Sequence, residues 1–62
     1  MPVFTFYKTN KRLGSAESEN PRAAAEDYFK LSGKVNVEID PIDEGEWRVV
    51  TAAGIYLMKR ES

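Results

Sequence analysis

The sequence predicts an α+β fold: a two-layer sandwich in which one helix packs on a four-stranded, mainly antiparallel sheet, in the order β-α-β-β-β. Three observations carry this. Asn20-Pro21 followed by Ala24, Ala25, Tyr28, Phe29 and Leu31 marks one amphipathic helix, closed by Gly33. Residues 34–40 alternate apolar and polar side chains. Two further strand-like runs, 46–51 and 55–60, follow after short turns, the spacing of an antiparallel meander.

Taken in order, residues 3–8 are rich in β-branched and aromatic types and read as a strand. Val3, Thr5 and Tyr7 share one face, and Phe4, Phe6 and Lys8 the other. Residues 9–20 contain one large apolar residue, Leu13, and are expected to form a long, mobile loop. Asn20 suits the helix cap, where its side-chain oxygen accepts from first-turn amides. Pro21 suits the first helical position, where a missing N–H costs nothing. The helix is expected to end at Leu31 or Ser32, with Gly33 in the left-handed conformation that follows many helices.

In 34–40, Val35, Val37 and Ile39 are expected to face inward and Asn36, Glu38 and Asp40 outward. Pro41 is expected to end that strand, and Asp43-Glu44-Gly45 to form the next turn. In 46–51, Trp47, Val49 and Thr51 share a face, and Arg48 and Val50 the opposite one. Ala52-Ala53-Gly54 reverses the chain, with Gly54 free to take a positive φ. In 55–60, Ile55 and Leu57 share a face with Lys59, and Tyr56 and Met58 with Arg60. Besides the helix stripe, the core is expected to draw on Phe4 and Phe6, on the inward residues of 34–40, on Trp47 and Val49, and on Ile55 and Leu57.

At 62 residues the chain is read as one domain, residues 1–62. A domain this small buries only about 60% of its unfolded surface, so it needs an efficient core or self-association. There is no Cys and no His, which excludes disulfides and removes the commonest zinc ligands. No basic segment leads into an apolar one at the start, and the longest apolar stretch, 52–58, falls far short of the ~20 residues of a membrane span. The expectation is a cytoplasmic protein with no membrane partner.

Catalysis is not expected. The usual general base and the thiol nucleophile are both absent, and Ser15, Ser18, Ser32 and Ser62 have no imidazole to activate them. A chain this short rarely encloses a substrate, so neither a small-molecule substrate nor a cofactor is expected. The run Asp40-Pro-Ile-Asp-Glu-Gly-Glu46 lacks the ligand spacing of a calcium loop and reads as a solvated turn, so no metal site is expected. Gly14-Ser15 stands alone, without the remainder of a phosphate loop.

Charge is unevenly distributed although the net is only −1. Residues 1–12 carry Lys8, Lys11 and Arg12 and no acid, the middle of the chain is acidic, and the end carries Arg48, Lys59 and Arg60 against Glu61. With one helix to cover one sheet face, the other face is left open. The first reading is therefore a non-enzymatic interaction module that binds a protein partner or a second copy of itself through the open face or a strand edge. Tyr7, Arg48, Val50, Tyr56, Met58 and Arg60 are its expected contact residues, types enriched at interfaces. A first alternative is nucleic-acid binding through Lys8, Lys11, Arg12, Arg48, Lys59 and Arg60 beside exposed tyrosines. A second is an acidic inhibitor whose residues 38–46, with Glu17 and Glu19, imitate a polyanion toward a basic target.

Overall fold

A computed structural model describes residues 1–31, 33 and 36–61. It has one helix and a five-stranded antiparallel sheet, in the order β-β-α-β-β-β. The α+β class expected from the sequence is present; the four-stranded sheet and its element order are corrected. The strands are β1 (Val3–Lys8), β2 (Lys11–Glu17), β3 (Glu38–Asp43), β4 (Glu46–Thr51) and β5 (Gly54–Arg60), and the helix α1 is Pro21–Leu31. Across the sheet they lie β2-β1-β5-β4-β3.

The extra strand, β2, lies within the segment 9–20 expected to be a loop. It is joined to β1 through Thr9 and Asn10, both at positive φ (50° and 65°), between the paired residues Lys8 and Lys11. Two central residues of this conformation make the type I′ turn whose twist matches that of a hairpin. The β2 strand carries a bulge opposite Phe6 and Tyr7, so that Phe6 faces Gly14 and Tyr7 faces Arg12. Its inward residues are Gly14 and Ala16. The Tyr28 ring lies over Gly14, with its hydroxyl 3.1 Å from where a Cβ would stand.

The helix begins as expected, with Asn20 Oδ1 accepting from the Ala23 amide at 2.8 Å. Gly33 and Gly54 take positive φ values of 79° and 140°. Ala24, Ala25 and Phe29 are buried, but Leu31, placed in the apolar stripe, is 90% exposed. It is the last residue of the helix.

The third strand runs further along the chain than its alternation suggested. Asn36 sits at φ 63° and interrupts the extended run ahead of Glu38. Pro41 lies inside β3, opposite Trp47, rather than ending it. A proline is tolerated there because β3 is an edge strand, with one side of its backbone unpaired. Val37 and Ile39 pack against the core as expected, while Val35 lies outside the described residues.

The core is an aromatic layer between sheet and helix. Phe6 stacks on Tyr28 with ring centroids 4.3 Å apart, and Phe29 meets Phe6 edge-on at 5.2 Å and Tyr56 at 4.8 Å. Phe4 and Trp47 extend the layer in an edge contact at 5.6 Å. Val49 and Met58 fill the space between them and are fully buried.

Besides Leu31, the inward assignment of β5 fails. The turn leaves only Ala52 and Ala53 between the paired residues Thr51 and Gly54, so Val49 faces Tyr56 and Trp47 faces Met58. Residues paired across antiparallel strands share a face. Tyr56 and Met58 therefore join Val49 and Trp47 under the helix, and Ile55, Leu57 and Lys59 point the other way. Ile55 is 60% exposed. Reading the turn one residue too long reverses the whole strand.

Candidate interaction face

The sheet face away from the helix is laid out by the strand registers. One row runs Arg12–Tyr7–Leu57–Arg48–Asp40 across all five strands. A second runs Ser15–Thr5–Lys59–Glu46–Asp43. A third, toward the β4–β5 turn, runs Ile55–Val50–Glu38. Tyr7, Ile42, Arg48, Ile55 and Leu57 line a shallow concavity of about 320 Å3, closed at one side by the β1–β2 turn. Leu57, Val50 and Tyr7 are half-buried, and Ile42 is 53% exposed.

Of the contact residues expected from sequence, Tyr7, Arg48 and Val50 lie on this face. Tyr56 borders the concavity but its side chain does not lie on this face, and neither does that of Met58. They are 4% and 0% exposed and belong to the core, for the register reason given above. Arg60 shares their side of β5 and borders a separate hollow with Trp47 and Glu44. Sequence reasoning passed over Ile42, Ile55 and Leu57. The signal for the last two was the length of the β4–β5 turn. Ile42 was obscured by the expectation that Pro41 ended its strand.

Tyr7 is held in place on both sides. Its hydroxyl donates to Glu61 Oε1 at 3.2 Å, and Lys59 Nζ lies 5.4 Å from its ring centroid, a cation–π distance. Desolvation against the sheet raises its pKa above the ordinary 10.0, and the Glu61 hydrogen bond and charge raise it further; the Arg12 guanidinium opposes them. Arg48 is paired with Asp40 at 3.3 Å, both side chains more than half exposed. Thr5 lies one pair along β1 from Tyr7. It is 1% exposed, and its hydroxyl has no hydrogen-bond partner among the described residues.

The six basic residues considered for nucleic acid do not form one patch. Lys8, Lys11 and Arg12 gather at the β1–β2 turn, with Lys8 Nζ 5.0 Å from the Tyr56 ring centroid. Lys59 sits mid-face, Arg48 is paired with Asp40, and Arg60 is on the helix side. The acids of 38–46 gather on β3 and its turn into β4, whereas Glu17 ends β2 at the opposite edge. Among the described residues no group of acidic side chains is arranged to hold a metal ion, and no helix is long and apolar enough to cross a membrane.

Comparison with protein-family models, with curated proteins and with solved structures gives no match to this chain. The chain is an α+β domain with one sheet face covered by the helix and one open.

Proposed function

We propose that the chain is a non-enzymatic interaction module and that its open sheet face binds another protein. The observation that carries this is the apolar group Ile55, Leu57, Ile42 and Tyr7, which borders one concavity, with Val50 paired to Ile55 beside it, while the helix covers the other side. Contiguous apolar surface rimmed by charge is the anatomy of a binding face. Main-chain pairing is less favoured at the β3 edge, which carries Pro41, a bulge and three acids, the usual defences of an edge strand. Nucleic-acid binding has less support, because the basic residues are dispersed and three of them, Lys8, Arg48 and Lys59, are engaged with Tyr56, Asp40 and Tyr7. Cytoplasmic placement belongs to the same proposal.

Affinity capture from the source cells with the wild-type chain and with Leu57→Lys tests the reading. A half-buried leucine on an open face accepts a lysine stem at little cost to folding, which circular dichroism would verify. Proteins held by the wild type should be lost from the folded variant. The same proteins retained by both, or a mixed single-stranded oligonucleotide bound in their place, would overturn it.

A further inference from the structure

The sheet is electrically lopsided. On the open face, β2, β1 and β5 present Arg12 and Lys59 against Glu17, while Lys8, Lys11 and Arg60 fall on the helix side by register. In the other half of the same face, β3 and β4 present Glu38, Asp40, Asp43 and Glu46 against Arg48. The central strand, β5, divides the two halves, with two strands on each side.

A face divided in this way is complementary to itself in one orientation. We propose that the open face binds a second copy of this chain about a two-fold axis parallel to β5. This rests on the reading of that face as an interaction surface and names its occupant. Rotation about such an axis carries β2 over the partner's β3 and β1 over the partner's β4, without moving residues along the strands. In the first row, Arg12 then meets the partner's Asp40, Tyr7 meets the partner's Arg48, and Leu57 meets its own copy. Ile55 meets its copy one row further on. Each charge pair occurs twice, as an isologous contact requires. The interface has a leucine–isoleucine centre, a tyrosine under a guanidinium beside it, and ion pairs at the rim. An axis across the strands would instead set β3 on β3, acid against acid.

The second row is consistent with this arrangement. The two Lys59 side chains approach near the axis, and each faces Glu46 across its own strand pair, so neither is left among cations alone. The strands of the two sheets run in nearly the same direction, the aligned packing that twisted sheets adopt. Five strands about 4.8 Å apart and six residues long present about 500 Å2 per copy, or about 1,000 Å2 in all. That is the lower bound of a specific interface, so the dimer should be reversible.

Sedimentation equilibrium from about 10 µM to about 1 mM reads this directly. The wild type should show a monomer–dimer equilibrium. Arg12→Asp should weaken it about tenfold, because it sets two aspartates against each other at two symmetric places. Asp40→Arg should do the same. Arg12→Asp with Asp40→Arg in one chain should restore the affinity, since the exchanged charges meet again only if β2 of one copy lies over β3 of the other. Leu57→Lys should leave a folded monomer. Single charge variants that dimerise like wild type, or a double variant weaker than either single, would overturn the axis. A wild type monomeric at about 1 mM would overturn self-pairing and leave the capture experiment to decide the face. A dimer indifferent to Leu57→Lys would overturn both.

Discussion

Both faces of this sheet carry apolar side chains and put them to different use. Under the helix, Phe4, Phe6, Val49, Tyr56 and Met58 are buried in an aromatic layer. On the other side, Ile55, Leu57, Ile42 and Tyr7 lie at the surface around one concavity. Chemical type does not separate the two groups: isoleucine and leucine are the more exposed, tyrosine and methionine the more buried. What separates them is parity along β5, set by the number of residues in the turn before it.

The largest test of this contrast is Phe6→Ala. It removes a fully buried ring from the stack with Tyr28 and Phe29 and should cost about 3–5 kcal/mol. The matching change on the open face, Ile55→Ser, should alter stability by no more than about 0.5 kcal/mol. Chemical denaturation of the two variants at low concentration checks the pair, and equal losses would mean the faces had been misassigned.

Thr5→Val probes a polar group on the open side of β1. It replaces a hydroxyl that has no partner among the described residues with a methyl of the same shape, so stability should rise by about 1 kcal/mol. A loss of similar size in the denaturation midpoint would show that the hydroxyl is bonded in solution.

The smallest effect concerns Tyr7. Its folded-state pKa is raised above the unfolded value, by desolvation first and then by Glu61. The folded chain therefore holds the phenolic proton more tightly. This group's contribution to stability is complete below the unfolded-state pKa and is lost as pH rises through the folded-state value. A stability profile should fall at alkaline pH, and less steeply in Tyr7→Phe; identical alkaline limbs would contradict the assignment.

The helix was legible because its punctuation is local: Asn20, Pro21 and Gly33 act through their own backbone and immediate neighbours. The β4 strand was legible for a similar reason, as a short β-branched and aromatic run between the Asp43–Gly45 turn and Ala52. The β2 strand was not, because the sheet asks small residues of it. Tyr28 lies flat on Gly14 and Ala16 packs beneath the helix, so the inward positions carry no large apolar side chain to count. Its turn is equally obscure, since Thr9 is a poor advertisement for a positive φ. The candidate site was half legible. Tyr7, Arg48 and Val50 follow from alternation, while Leu57 and Ile55 required the register of a hairpin whose turn could be counted as two residues or three.

Pro41 has a meaning beyond its own strand. A sheet with one basic edge and one acidic edge is a natural link for a chain of copies, each β2 attracted to the β3 of the next, with nothing in the symmetry to stop growth. The proline offers no N–H to an incoming strand, and the bulge beside it spoils the spacing. The charge asymmetry that the proposed face-to-face pairing would use is thereby denied a route to a filament.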